Sequence, residues 1–232
     1  MTRMKLFATA ATLALLSGAS LTLPSTAMAG SNTAIINQSN DGGGDQSNVA
    51  NVDQFNDGGG SNFADITQAN SNGSNQSNEA NVRQVNAGGG GSQSNDATVR
   101  QINENGDNQS NTADIFQKNK GGGNQSNTAD VFQKNKNGKN QSNDATVKQI
   151  NKDGENQSNR ADIFQKNKDG ENQSNRADVF QKNKGGKNQS NDLDLKQKNK
   201  GGWNQNNDAT VTQKNKWGWD QKNRTMLVQR NR

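Results

Sequence analysis

The sequence predicts an all-β protein: a β-solenoid of stacked strand-turn-strand repeats with a 16-residue period and cross-β-like ladders inside. Three observations predict it. A phrase, Q-S-N-x-A-x-[V/I/L]-x-Q-x-N-x-x-G-x-N, is written thirteen times in 232 residues, and from Gln93 to Gln221 its period is a strict sixteen. Within each copy every second residue is held nearly constant while the residues between vary, which is one face of a β-strand and fits no helical face. Only 26% of the residues are hydrophobic and the mean hydropathy is -1.22, so an ordinary globular core is excluded. Stacking of short repeats is the remaining way to bury a continuous interior.

Residues 1–29 differ from everything after them. Arg3 and Lys5 precede an apolar stretch, Leu6 to Leu16, and Ala27-Met28-Ala29 follows. A basic start, a short apolar run and an A-x-A site are the pattern of a secretory signal peptide. The run is too short for a membrane span. The expectation is an exported chain whose mature part begins at Gly30.

Residues 30–232 form the repeat domain, about twelve full repeats and a partial one at the carboxy end. In the central copies the inner face carries amides at Asn111, Gln117, Asn127, Gln133, Asn143, Gln149, Asn159, Gln165, Asn175 and Gln181. Between them lie the apolar residues Ala113, Ile115, Ala129, Val131, Ala145, Val147, Ala161 and Ile163. Stacked identical amides bond to the copies above and below, which is how cross-β structures satisfy buried polar side chains. Each copy then turns at a glycine, Gly122, Gly138, Gly154, Gly170 and Gly186 among them, because Gly takes positive φ without steric cost. A strand of roughly seven to nine residues plus a turn gives the copy, and copies stacked at about 4.8 Å give a rod about 60 Å long.

The outer face varies. Ala-Asp-Ile-Phe and Ala-Asp-Val-Phe copies come in pairs, which pairs Phe116 with Phe132 and Phe164 with Phe180; copies of the Ala97-Thr98-Val99 kind recur forty-eight residues apart. These Phe residues either stack along the rod or form a stripe for contact between rods. Lys118, Lys134, Lys166 and Lys182 share one outward position and discourage lateral aggregation. The final copy, with Met226-Leu227-Val228, and the nearby Trp203, Trp217 and Trp219 read as a cap over the rod end or, alternatively, as a docking end for the next subunit.

Charge is unevenly distributed. Residues 30–108 hold two basic and nine acidic residues, and residues 109–232 hold twenty-three basic and thirteen acidic ones. Opposite ends favour head-to-tail addition, and the basic half suits anionic matrix polymers. The sequence contains no His, Cys or Tyr. The commonest general base and the thiolate and imidazole metal ligands are therefore missing, and no triad can be drawn. The expectation is a protein that is not an enzyme, with no catalytic residues, no metal, no cofactor and no small-molecule substrate.

The element Asn111-x-Ala113-x-x-x-Gln117, repeated with Gly- and Asn-rich turns, resembles the curlin repeat over residues 30–232. Two features depart from that pattern: the unit is shorter, and Asn119 stands where Gly is usual. The resemblance implies a secreted subunit of curli-like amyloid fibres at the bacterial cell surface, serving adhesion and biofilm matrix. It also implies self-association into a homopolymer, with a nucleator and a secretion pore as partners. Two rival functions are a monomeric ice-binding β-solenoid, with Ser47, Ser77, Ser94, Ser110 and Ser126 as a hydroxyl row, and a minor or nucleating fibre subunit.

Overall fold

The structure, a computed structural model, describes residues 11–14, 19–27, 30–42, 44–57, 60–87, 92–121, 124–153, 156–169, 171–185, 188–201, 204–216 and 220–231, with side chains from residue 32 on apart from Asp57. Among the described residues fifteen strands follow one another: β1 Ala11–Ala14, β2 Ala19–Ala27, β3 Gly30–Asp41, β4 Gln46–Asp57, β5 Gly60–Ser71, β6 Asn75–Ala87, β7 Ser92–Glu104 and β8 Asn108–Lys120. Then come β9 Asn124–Lys136, β10 Asn140–Lys152, β11 Asn156–Lys168, β12 Asn172–Lys184, β13 Asn188–Lys200, β14 Asn204–Lys216 and β15 Asp220–Asn231. Odd-numbered strands make one parallel sheet and even-numbered strands the other. The chain thus passes from sheet to sheet at every corner, and two copies complete one coil.

This corrects two expectations. A copy does not lie on its chain neighbour but on the copy after that: Asn111 pairs with Asn143, and Asn143 with Asn175. From β3 to β15 each sheet has six or seven layers, so the stack is about 30 Å long rather than 60 Å. The strands are also longer than seven to nine residues; those of the regular copies run thirteen, through Gln-Lys-Asn-Lys, because the alternation of inner and outer residues continues to the corner.

Register survives unequal coil lengths. Partners stand 30 residues apart between β3 and β5 (Asn32 with Asn62), 33 apart between β6 and β8 (Asn78 with Asn111) and 32 apart further on (Asn127 with Asn159). The extra residues fall in the corners, where they cannot turn an inner residue outward. A slip inside a strand would do so at every position.

The interior is a thin slab between the sheets. Ala113, Ile115, Ala129, Val131, Ala145, Val147, Ala161 and Ile163 all belong to one continuous buried cluster. Each Val or Ile removed from water contributes on the order of 1.5–3 kcal/mol. With one Ala and one larger residue per strand, the apolar slab is narrow, and amides fill the space on both sides of it.

Candidate self-assembly surfaces

In the central copies the Asn amides and the second Gln are buried and hydrogen-bonded to the layers on either side, whereas the first Gln keeps an unpartnered oxygen at Gln125, Gln141, Gln157 and Gln173. Asn111 donates from Nδ2 to Asn135 Oδ1 across the slab at 2.9 Å and to Asn143 Oδ1 in the next layer at 3.0 Å. Its own Oδ1 accepts from Asn78 at 3.0 Å and from Asn103 at 3.1 Å. A primary amide has two donor hydrogens and two acceptor lone pairs, so all four are used. The same fork recurs at Asn127, Asn143, Asn159 and Asn175. Gln117 donates to Gln84 Oε1 at 3.0 Å and to the Thr128 carbonyl of the facing sheet at 2.6 Å. Gln133, Gln149, Gln165 and Gln181 repeat that pattern.

The two ladders run in opposite senses. Along the stack, Asn donates toward the carboxy end (Asn143 to Asn175, 2.9 Å) and Gln toward the amino end (Gln149 to Gln117, 3.0 Å). The ladder also includes a row that sequence reasoning left out of the site: Asn119, Asn135, Asn151 and Asn167, near the strand ends, are as buried as the others. Each bonds both the facing sheet and the next layer, as Asn119 does to Asn127 at 3.1 Å and Asn151 at 3.1 Å. Their signal was in the sequence, two places after each inner Gln in the same alternating frame.

The corners assign the turn residues differently from the sequence. Gly138 is not the residue with positive φ; Asn137 before it is, at 58°. Asn72, Asn105, Asp153 and Asp169 (59° to 63°) and Gly121, Gly185 and Gly201 (65° to 71°) hold the equivalent place, and Asn, Asp and Gly are the types that tolerate the left-handed region. Gly138 is needed for close approach instead. A Cβ there would lie 2.5 Å from the Gly106 carbonyl oxygen and 3.0 Å from Gln109 Cδ, because corners stack as tightly as strands. Gly122, Gly154, Gly170 and Gly186 lie outside the described residues.

Alternation between sheets also rearranges the outer surface. Phe116 and Phe132 are on opposite faces, as are Phe164 and Phe180, so the pairs read from the sequence do not lie side by side. On the odd sheet Phe132 stacks on Phe164, with ring centroids 5.3 Å apart and planes 8° from parallel. Arg100 lies over the first ring and Lys198 over the second, each at 5.7 Å. On the even sheet Phe116 and Phe180 are separated by Lys148, whose ammonium is 5.7 Å from one ring and 5.9 Å from the other. The lysines divide likewise: Lys134 neighbours Lys166, whereas Ile150 separates Lys118 from Lys182.

Outward aspartates sit half-buried between such rows. Burial first, and then the neighbouring Asp162 and Asp96, raises the Asp130 carboxyl above its ordinary range. Burial also raises Asp96 and Asp144. Glu104 is shifted the other way by its hydrogen bond to Lys134, 3.0 Å long.

At the carboxy end the sheets stop at β15 and β14. β15 continues the register of β13 and does not fold over the end, so it is a further layer and not the cap that its apolar residues suggested. Leu227 stands at an inner position yet is 46% exposed, and Met226 is 38% exposed. Trp203, Trp217 and Trp219 lie outside the described residues. At the amino end β1 pairs with β3 and β2 with β4; the other residues of the expected signal peptide lie outside the described residues.

Fold and surfaces together define a two-sheet parallel β-solenoid with internal amide ladders, in which no other described strand covers β14 and β15 at the carboxy end. Compared with known proteins, the chain matches no family model, no curated protein and no solved structure.

Proposed function

We propose that the chain is a secreted structural subunit of a curli-like extracellular fibre, serving surface adhesion and biofilm matrix, and that it polymerises by end-to-end strand templating. The observation that carries this reading is the carboxy end. An inner position, Leu227, is open to solvent there, on a parallel edge whose residues repeat the pattern of every layer beneath it. Such an edge is a template for another chain of the same pattern. The amides add cooperativity: a buried amide costs about 1–3 kcal/mol when its partner is missing, so an added layer is favourable only in register. The acidic amino half and basic carboxy half favour the same head-to-tail encounter.

The test is fibre diffraction from purified chain lacking residues 1–29. The expected result is a meridional reflection at about 4.7 Å. Its absence under every condition in which the protein leaves solution would sink the reading.

A further inference from the structure

The geometry points to a specific junction between two copies: each molecule docks on the last with a half-turn about the stack axis. β3 of the incoming copy then lies on β14, and its β4 lies on β15. This rests on the fibre reading and specifies the joint within it.

The first support is parity. β3 and β15 belong to the same sheet, so the strand that continues the alternation after β15 belongs to the other sheet, on top of β14. If β3 of the second copy were placed on β15 without rotation, the position above β14 would be skipped, leaving a gap one strand wide, about 4.8 Å.

The second support is the amide inventory of the two ends. Inside the stack, Asn175 donates to Asn199 (2.8 Å) and Asn207 (2.9 Å), and Asn183 to Asn191 (3.1 Å) and Asn215 (3.1 Å). In the last coil half of this is lost. Asn207 keeps Asn231 Oδ1 at 2.7 Å and Asn215 keeps Asn223 Oδ1 at 3.0 Å, while neither has a next-layer acceptor. Asn223 and Asn231 are exposed in the final strand. At the opposite end, Asn32 Oδ1 and Asn40 Oδ1 are buried acceptors without a hydrogen-bond partner.

The internal spacing says which groups would meet. An Asn in the place of Asn127 accepts from the residue 8 before it (Asn119, 3.1 Å) and the residue 32 before it (Asn95, 3.0 Å). An Asn in the place of Asn135 accepts from the residue 24 before it (Asn111, 2.9 Å) and the residue 32 before it (Asn103, 3.2 Å). With β3 of the second copy on β14, its Asn32 Oδ1 receives Asn231 and Asn207, and its Asn40 Oδ1 receives Asn223 and Asn215. Four donors meet two acceptors with the connectivity of the interior. Residues 1–29 contain no Asn or Gln, so β1 and β2 occupy this amino end without continuing the ladder. A chain that retains them does not present the joint.

Cysteine pairs test the register, since the chain has no cysteine of its own. The half-turn places Ile35 of one copy beside Thr210 of the other, whereas the unrotated joint places it beside Met226; neighbours across a parallel pair are within disulfide reach. Chains without residues 1–29 carrying Ile35→Cys with Thr210→Cys, or Ile35→Cys with Met226→Cys, are assembled, oxidised and separated in denaturant. The expected result is a ladder of dimers, trimers and longer species from the first pair and monomer from the second. The opposite pattern overturns the half-turn and leaves the fibre reading standing; fibres from which neither pair cross-links overturn it too. Failure of the unsubstituted chain to assemble overturns both. As a check independent of substitutions inside the joint, a heavy-atom label on Lys148→Cys is expected on alternating sides of the fibre, one about every 31 Å. Labels along one side only overturn the half-turn.

Discussion

Asn143 offers a sharp test of the interior. Its Nδ2 donates to Asn167 Oδ1 at 2.8 Å and Asn175 Oδ1 at 2.9 Å, and its Oδ1 accepts from Asn111 at 3.0 Å and Asn135 at 3.1 Å. Asn143→Leu removes four hydrogen bonds, each about 0.5–1.5 kcal/mol net. No partner is orphaned, because Asn111 keeps Asn135 and Asn167 Oδ1 keeps Asn135, and Asn175 Oδ1 keeps Asn167. The added apolar surface offsets part of the loss, so the expected cost is about 2 kcal/mol. Asn143→Asp retains shape but aims a carboxylate at two carbonyl oxygens in a buried site. An uncompensated buried charge costs about 3–5 kcal/mol.

The two variants also differ in pH dependence. The buried Asp takes up a proton in the folded state above the ordinary carboxylate value, about pH 4. Folded chain then binds more protons than unfolded chain, so the Asp penalty shrinks as pH falls through the raised value. The Leu penalty stays constant. Urea unfolding of the chain without residues 1–29, at low protein concentration and across this pH range, measures both. Equal costs for Leu and Asp at every pH, or an Asp cost under about 1 kcal/mol, would refute a saturated Asn ladder.

Three further outcomes are expected. Gly138→Ala lowers stability by about 1–3 kcal/mol through the backbone clash with Gly106, and Asn137→Ala by about 1–2 kcal/mol through its left-handed φ, while Asn137→Gly is tolerated; denaturant midpoints rank the three. Because burial and neighbouring carboxylates raise Asp130, Asp96 and Asp144, their contribution to stability falls as pH rises from about 4 through the raised values; Asp130→Asn raises stability at neutral pH and flattens that slope, whereas Glu104→Gln removes a contribution of opposite sign. A double-mutant cycle on Phe132 and Phe164 gives a coupling of about 0.5–1.5 kcal/mol, and the same cycle on Phe116 and Phe132 gives none, since those rings are on opposite sheets.

Alternation of constant and variable positions made the inner face legible residue by residue, from Asn111 and Ala113 through Ile115 to Gln117. Which copy rests on which was not legible. Every copy carries the same inner residues, so stacking at sixteen or at thirty-two satisfies the ladders equally, and only the sheet alternation decides. That choice redistributed Phe116, Phe132, Phe164 and Phe180, whose pairing along the sequence had suggested adjacency. The corner was read from residue type alone. Glycine has two uses, positive φ and close approach, and in the Asn137-Gly138 pair the neighbouring Asn supplies the first, leaving Gly138 the second.

The opposite senses of the ladders have an electrostatic consequence. Each amide carries a dipole along its donated bond, and rows of aligned dipoles accumulate opposite partial charges at their ends, as in a helix. Per regular strand, two Asn rows point one way, as Asn143 and Asn151 do, and the row of the second Gln points the other, as Gln149 does, whereas the first Gln bonds chiefly to corner carbonyls, as Gln157 does to Lys184. The Gln row cancels part of the moment of the two Asn rows. The surplus Asn row leaves amide N–H groups facing the carboxy end and amide oxygens facing the amino end, however many layers lie between.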